Sequence, residues 1–368
     1  MLKKLLVLLF SFPILAIAQT DTTANPPADE DFSQYDSYNF VDQSSKKYCT
    51  SKVFDLSPSK LISIGYDFQG GYDLTTDTLF NPIQSSSPYA TQNTPGFGSI
   101  QYSHGLRLAV NIPVISNNAI IVQLGANYAE QRYKFNQLIS SPSNDLITTL
   151  KDNGLRTTGL NTTIFKPFNE RSFLLVQASA DLSGDYGFNS INLKYLRSSV
   201  AAIWGQKKGD RKMIGFGLSR TYRVGEMNYI PVFLLNYTAP NRKNGCEILF
   251  PARVHYRRTF SARSLALFGY ELEGQSYRLG SRNTSSALQD LELRRGELRI
   301  RAVYERSISS FLWLSAQAGF RYNYSFEADR LPEGKEFFRG FFGDQPYAMQ
   351  NTLGNTFYFL VGVNLVSP

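Results

Sequence analysis

The sequence has very few of the residues that usually build metal or redox sites. It contains two cysteines, two histidines and two tryptophans in 368 residues. Cys49 and Cys246 lie far apart, and together with His104 and His255 they do not give the paired spacing of a zinc site. We therefore expect no metal and no cofactor, and we expect both cysteines to be free thiols.

Long apolar runs are also missing after the first residues of the chain. No later stretch approaches the roughly 20 apolar residues of a membrane-spanning helix. At the N-terminus a lysine pair precedes the apolar run 5–15, and the small residues Ala16 and Ala18 follow it. This order is that of a secretory signal peptide cleaved after Ala18. We therefore predict a signal peptide at 1–18 and an exported mature chain.

The chain lacks a basic stripe or a basic helix. Its net charge is +8, but the basic residues alternate with acidic and apolar ones, which excludes a nucleic-acid-binding class. The positive excess suits the phosphates of lipopolysaccharide. The expected partners are outer-membrane lipids and lipopolysaccharide, with the barrel-assembly machinery during insertion.

What the sequence has in abundance is strict alternation of apolar and polar residues, most clearly in the stretch 245–326. One parity of its first segment holds Cys246, Ile248, Phe250, Ala252, Val254 and Tyr256. Successive side chains of a strand point to opposite faces, so each segment has one apolar face and one charged face. Lipid outside and a polar lumen inside require this pattern. We predict an all-β protein, a transmembrane antiparallel up-and-down β-barrel in the cell outer membrane.

The same alternation predicts the individual strands and their number. Strands are predicted at 61–70, 99–111, 119–135, 155–165, 172–182, 213–222, 229–237, 245–257, 264–277, 291–307, 311–326 and 355–366, with one or two more within 183–209. Both termini of such a barrel are periplasmic, so the strand number is even and we expect 12 or 14.

The predicted connections alternate in length, which orients the barrel. Short connections fall at 112–118, 166–171, 259–263 and 307–310, and long ones at 71–98, 136–154, 278–290 and 327–353. Outer-membrane barrels have short periplasmic turns and longer extracellular loops. The polar stretch 19–59 is then predicted to be a flexible periplasmic lead-in, and 60–368 to be the barrel domain.

The polar faces of the strands supply the candidate site. An arginine that faces lipid at mid-depth costs about 2–4 kcal/mol, so the charged faces should point into the lumen and pair there. The predicted lumen network consists of Glu247, Arg253, His255, Arg257, Glu271, Glu273, Glu297, Arg299, Arg301 and Arg321. Such a network either fills and stiffens the lumen or lines a narrow channel for a small polar or anionic solute.

Two other functions stay open beside the narrow channel. A lipid hydrolase would need a histidine base near a serine, and His104 is the one histidine in phase with the lipid-facing residues Tyr102 and Leu106. The alternative for His104 is a place in an aromatic girdle. A surface-binding barrel would use long loops such as 336–343, which holds four phenylalanines. No serine-hydrolase or phosphate-loop motif occurs, so whether the protein is an enzyme is left uncertain.

The middle and C-terminal parts of the chain resemble an uncharacterised family of bacterial outer-membrane β-barrels, classified as a domain of unknown function. The residues that carry this resemblance are Gly215 to Tyr222, Pro231 to Tyr237, Pro251-Ala252 and Gly269 to Tyr277. The resemblance covers roughly residues 60–366. It implies a barrel in the outer membrane and brings no activity with it.

Overall fold

The structure is a computed structural model, and it describes residues 49–50, 53–76, 96–139, 146–189, 191–222, 228–281, 284, 288–330 and 348–366. The predicted signal peptide and the phenylalanine-rich segment 336–343 lie outside these residues. Within them, no helix has the length and apolar character needed to cross a membrane. Strands dominate what is described.

Seventeen strands and one α-helix make up the described chain. The strands are β1 Lys60–Gln69, β2 Tyr72–Thr76, β3 Gly96–Ser116, β4 Ile121–Ile139, β5 Leu155–Pro167, β6 Ser172–Gly184, β7 Leu196–Lys207, β8 Lys212–Thr221, β9 Asn228–Thr238, β10 Asn244–Phe250, β11 Arg253–Ser261, β12 Ser264–Arg278, β13 Leu291–Ser307, β14 Leu312–Ser325, β15 Ala328–Arg330, β16 Asn351–Leu353 and β17 Thr356–Val366. Helix α1 spans Leu146–Asp152, and a short 3-10 helix spans Leu193–Tyr195.

Fourteen of these strands close into one antiparallel barrel. The wall follows the chain from β3 to β14, and β17 then pairs with both β14 and β1 before β1 returns to β3. The pair Lys60↔Val366 places both ends of the barrel domain on one rim. Strands β2, β15 and β16 extend the wall above the opposite rim. The predicted all-β barrel is confirmed, at the upper of the two expected strand numbers.

The segment predicted as one strand at 245–257 is in fact a hairpin, and this correction supplies the fourteenth strand. Strands β10 and β11 pair with each other around a tight turn at Pro251-Ala252, in the register Leu249↔Arg253. Residues paired in this register have the same parity, so the alternation continues through the turn without a phase change. Hydrophobic periodicity alone therefore could not distinguish the hairpin from one strand.

The two faces of the wall are occupied as the alternation predicts. Large exposed apolar residues such as Leu160, Phe216 and Ile300 lie on the outer face. Their sequence neighbours of the other parity point into the barrel, where Asp67, Arg299 and others are buried. An outer apolar face around a closed antiparallel wall is what lipid requires.

The barrel interior has apolar clusters at both ends, and loop segments contribute to two of the three; the third, at the periplasmic end, consists of the wall residues Leu265, Leu267, Val303, Trp313 and Val366. At the extracellular end, residues of α1 (Leu146, Ile147, Leu150) pack with Leu74 and with loop residues into a buried cluster, which also includes Tyr72, Ile100, Tyr133, Leu155, Leu279, Leu288, Leu291, Leu293, Phe326, Ala328, Met349 and Leu353. At the periplasmic end, Cys49 and Val53 pack with inward-facing strand residues, namely Phe165, Phe173, Ile203, Met213, Val232 and Leu234. A polar middle section lies between them.

Candidate functional site

A buried ion-pair network occupies the middle of the lumen. Arg299 on β13 is fully buried and donates to Asp67 Oδ2 at 2.8 Å and to Glu297 Oε1 at 2.6 Å. Arg107 on β3 contacts Asp67 Oδ2 at 2.7 Å and Glu273 Oε2 at 2.8 Å. These pairs join strands that are not neighbours in the wall. Asp67 on β1 and Arg299 on β13 are three strands apart around the barrel, and Arg107 on β3 and Glu273 on β12 are five strands apart, so the second pair spans the lumen.

Two further arginines extend this network along the lumen. Arg301 pairs with Glu271 and donates to His255 Nε2 at 3.3 Å. Arg321 donates to Gln69 Oε1 at 2.6 Å and lies over the ring of Tyr72, 4.2 Å from its centroid. The network thus runs from the level of the hairpin β10–β11 to the base of the extracellular cluster.

Of the remaining predicted members, Glu247 and Arg257 lie nearer the periplasmic end, close to the N-terminal segment. Arg257 is fully buried and donates to Thr238 Oγ1 at 2.8 Å. Glu247 lies 3.7 Å from Arg257 and accepts two hydrogen bonds from Ser57, from its backbone N at 2.9 Å and its hydroxyl at 2.8 Å. Arg253 is exposed beside the Pro251-Ala252 turn.

Residues 53–59 are held against the periplasmic mouth by side chains and turns of the barrel. Phe54 N donates to Asp210 O at 2.9 Å, and Thr238 Oγ1 donates to Phe54 O at 2.6 Å. Arg242 makes a two-pronged contact with Asp55, at 2.8 and 3.1 Å. These residues fall within the stretch 19–59 that the sequence predicts as a lead-in, so its last part forms an ordered closure.

Cys49 is a natural reporter of this closure. Its backbone N donates to Asn169 O at 2.8 Å, and burial raises the pKa of its thiol above the ordinary value. The thiolate is the reactive form of cysteine, so both burial and the raised pKa slow alkylation.

In a Cys246→Ala background, we therefore expect slow alkylation of Cys49 by a maleimide in the folded barrel. Replacement of Arg242 by methionine removes the contact with Asp55 and should speed the reaction. Mass spectrometry of quenched time points measures both rates. Replacement of Arg306, an exposed arginine on β13, by methionine serves as the control, and equal acceleration by both changes would contradict the assignment.

Two cavities lie between the end clusters. One, of about 420 Å³, is lined mainly by amide, hydroxyl and small apolar side chains of β3 to β11, including Asn111, Asn161 and Ser179. The other, of about 290 Å³, is lined by the charged network, including Arg107, Glu273 and Arg295. Asn127 and Leu272 line both cavities, so the two are adjacent. Side chains of the wall therefore do not fill the polar section completely.

The described contacts of His104 do not make it a base for a serine nucleophile. His104 Nδ1 lies 2.7 Å from Tyr66 Oη, and its ring is close to those of Tyr66 and Tyr102 on the outer wall. Ser103 points inward and is hydrogen-bonded to Gln69 and Tyr72. This geometry matches an aromatic girdle position.

Sequence reasoning missed three members of the central network. Asp67 and Arg107 belong to β1 and β3, which are separated in sequence from the charged segments, and Arg295 lies on β13 itself. The sequence does predict that Asp67 points inward, because it alternates with the apolar residues Tyr66 and Phe68. Which inward charges meet across a lumen depends on barrel closure, which a strand-by-strand pattern does not contain.

Comparisons with known proteins assign neither a family nor a function to the chain. No family model matches the chain, and no curated protein matches it. Among solved structures, an outer membrane channel from Pseudomonas putida F1 aligns with a TM-score of 0.37 and 9% identity, covering 84% of this chain and 97% of that one. A Pseudomonas aeruginosa FadL homologue aligns with a TM-score of 0.35 and 9% identity, covering 82% and 89%. The outer membrane protease OmpT from Escherichia coli aligns with a TM-score of 0.27 and 7% identity, covering 85% and 99%.

Channels and a protease thus align similarly, and similarities this low assign no function. The closed wall and its apolar outer face define the class of the protein, an integral outer-membrane β-barrel.

Proposed function

We propose that this barrel is a narrow channel for small polar or anionic solutes, and that the structure is its closed form. The observation that carries the proposal is the polar middle of the lumen. Its two adjacent cavities are lined by amides, hydroxyls and paired charges, and apolar clusters lie above and below them. Rings of charged side chains set selectivity in pores, and apolar constrictions gate them.

The composition of the two closures supports a gate that opens. The periplasmic cluster includes Cys49 and Val53 of the N-terminal segment, and the extracellular cluster includes three residues of α1. Neither segment belongs to the barrel wall. Both can move while the strand ladders stay intact, whereas a lumen filled only by wall residues could open only by distorting the barrel.

The paired charges give the open form its expected selectivity. In the central network, carboxylates lie between arginines, as Asp67 does between Arg107 and Arg299. A lining that alternates in sign offers hydrogen-bond and charge partners to a small polar or anionic solute. It also disfavours apolar solutes, because they would have to desolvate buried ions.

Planar-bilayer recording tests the proposal with four proteins. These are the full chain, a variant lacking residues 49–59, a variant with Leu146, Ile147 and Leu150 changed to serine, and the combination. We expect steady conductance in the combination, and only brief openings in the full chain and in the single variants. A heat-modifiability gel checks that each barrel is folded. If the variant with both changes is folded but shows no conductance, the channel is ruled out.

A further inference from the structure

The hairpin β10–β11 is shorter than the strands on either side of it. The ladder between β9 and β10 reaches no higher than Phe233↔Phe250, although β9 begins at Asn228. Toward the extracellular end, the ladder between β11 and β12 stops at Arg253↔Glu271. One further hydrogen bond follows, from Leu272 N to Ala252 O at 2.8 Å. Strand β12 continues above this level to Arg278.

Above the hairpin, the wall is joined again by a direct contact between β6 and β12. Arg278 pairs with Gly184 in a parallel bridge, and Asp185 N donates to Arg278 O at 3.3 Å. The carboxylate of Asp185 then accepts hydrogen bonds from Gly280 N at 2.9 Å and Ser281 N at 3.1 Å. In the part of the chain that the structure describes, these elements frame a lateral window, with the Pro251-Ala252 turn below and the β6–β12 bridge above.

The window faces the hydrocarbon region of the membrane. A strand rises about 3.4 Å per residue and is tilted by roughly 40° in such barrels, so the top of β10 lies about 15 Å above its periplasmic end. The apolar band is about 25 Å tall. The lower edge of the window is therefore near mid-depth, and the window opens toward the outer leaflet. Phe250 on this edge is 51% exposed on the outer wall.

The 420 Å³ cavity extends from this window into the lumen. Its lining includes Ile230, Phe250, Pro251 and Leu272 at the frame, and the side chains of polar residues deeper in the barrel, namely Asn111, Asn127, Asn161, Thr163, Gln177 and Ser179. No aspartate, glutamate, lysine or arginine is among its described lining residues. Its volume falls in the range of roughly 300–1,000 Å³ that is typical of small-molecule sites.

The amide groups converge at one point on the inner wall. A Cβ atom on Gly125 would lie 2.5 Å from Oδ1 of Asn111 and 2.5 Å from Oδ1 of Asn161. Only glycine leaves room there for both side chains. Two amides side by side can accept from and donate to a hydroxyl or amide group of a ligand, whereas they offer no counter-charge to an ion.

We propose that this window and cavity bind an uncharged amphiphile taken from the outer leaflet. Its hydroxyl or amide head lies among Asn111, Asn127 and Asn161, and its single apolar chain leaves through the frame beside Ile230 and Phe250. An ionised head at this position would contact amides and hydroxyls in place of its hydration shell, with no charged residue among the described lining of the cavity. Binding at this site does not require conduction, so a failed test of the channel would leave the binding proposal unaffected, and the reverse also holds.

Photolabelling in phosphatidylcholine vesicles tests the site. The probes are a monoacylglycerol with a diazirine in its chain, which is uncharged, and the fatty acid with the same chain, which is anionic. After irradiation, mass spectrometry maps the labelled residues. Because the diazirine is in the chain, we expect the monoacylglycerol to label the cavity-lining residues Ile230, Val232 and Leu249 near the frame, and the fatty acid to label them less.

Two neighbouring alanines on β7 give a matched pair of variants. Ala201 lines the cavity, and Ala202 has the opposite parity and is exposed on the outer wall. Ala201→Trp fills the cavity and should reduce labelling inside it by about tenfold or more, whereas Ala202→Trp should leave it unchanged. Asn161→Leu makes a smaller change that does not threaten folding, and the loss of one neutral hydrogen bond should reduce labelling by about two- to tenfold.

Three results would overturn the proposal. Labelling confined to outward-facing residues would mean that the probe only surrounds the barrel. Cavity labelling that survives both Ala201→Trp, in a barrel shown to be folded, and Asn161→Leu would place the probe elsewhere. Stronger labelling of the cavity by the fatty acid than by the monoacylglycerol would contradict the uncharged head.

Discussion

Replacement of Arg299 by methionine is expected to lower the free energy of unfolding by about 3–5 kcal/mol, the usual effect of removing one partner from a buried ion pair. Arg299 contacts Asp67 at 2.8 Å, Glu297 at 2.6 Å and Glu273 at 3.4 Å, and lies 4.7 Å from the centroid of the Tyr358 ring. Methionine fills similar space but leaves three carboxylates facing one another with one cation fewer.

The control for this prediction lies on the same strand. Arg306 is exposed on the outer wall at the periplasmic end of β13, where an arginine costs about 0–1 kcal/mol, so its replacement by methionine should change stability by no more than about 1 kcal/mol. Urea unfolding of both variants in lipid vesicles, followed by tryptophan fluorescence, gives the comparison. If the two variants were equally stable, the central network would not brace the lumen.

A second change should partly restore the Arg299 variant. Asp67→Asn removes one of the three carboxylates and keeps the shape of the side chain. The double variant is therefore expected to be more stable than the sum of the two single changes predicts. A non-additive result of 0.5–3 kcal/mol is typical of residues in one ion-pair network, so about that size of coupling is expected here.

The alternation of the sequence was enough to predict the barrel and its orientation. Period-two patterning gives the inward and outward faces of each strand, and Leu314, Tyr322 and Tyr324 are indeed exposed on the outer wall. The short and long connections alternate as predicted, and the termini share one rim. The bounds differ, because β3 continues to Ser116 through most of the predicted turn 112–118, and the predicted loops 71–98 and 327–353 contain the short strands β2, β15 and β16. These features depend on local sequence, because a strand's faces and its turns are set by neighbouring residues.

The hairpin at Pro251-Ala252 shows where local reasoning fails. Leu249 pairs with Arg253, so the turn keeps the parity and leaves no mark in the alternation. Pro251 was the available signal, since proline inside a run argues against a continuous strand. This error matters because the Pro251-Ala252 turn forms the lower edge of the window. The alternation of residues 245–257 is regular, so it gave no sign of the window.

Only part of the candidate site could be predicted, because its members come from strands that are distant in sequence. The ten predicted network residues all lie on inward-facing positions of β10 to β14. Their partners Asp67 and Arg107 come from strands that meet them only across the closed lumen. The ordered closure by residues 53–59 was also missed, because its polar composition resembles a flexible lead-in. The hydrogen bonds that hold it are supplied by distant turns, as Asp210 and Thr238 show.

Removal of residues 49–59 is expected to expose the lumen to the periplasmic side without disturbing the wall. Gln177 faces the 420 Å³ cavity just above the apolar cluster that includes Phe173 and Val53. We therefore expect Gln177→Cys to react with a charged, membrane-impermeant thiol reagent only when the segment is absent or displaced. The change should be close to all-or-none, because a charged reagent cannot cross an apolar cluster packed at protein density.

The measurement uses proteins without the native thiols, with Cys246→Ala throughout and Cys49→Ser in the full-length form. Lys208→Cys in the exposed turn after β7 should react in both forms and reports the total accessible protein. Replacing 49–59 by an equally long glycine-serine linker separates the effect of the packed side chains from that of chain length. Because the side chains of Val53 and Leu56 supply the packing, the linker protein should behave like the deletion. Protection of Gln177→Cys in both altered forms would mean that the wall residues alone close the periplasmic mouth, and opening would then require movement of the strands themselves.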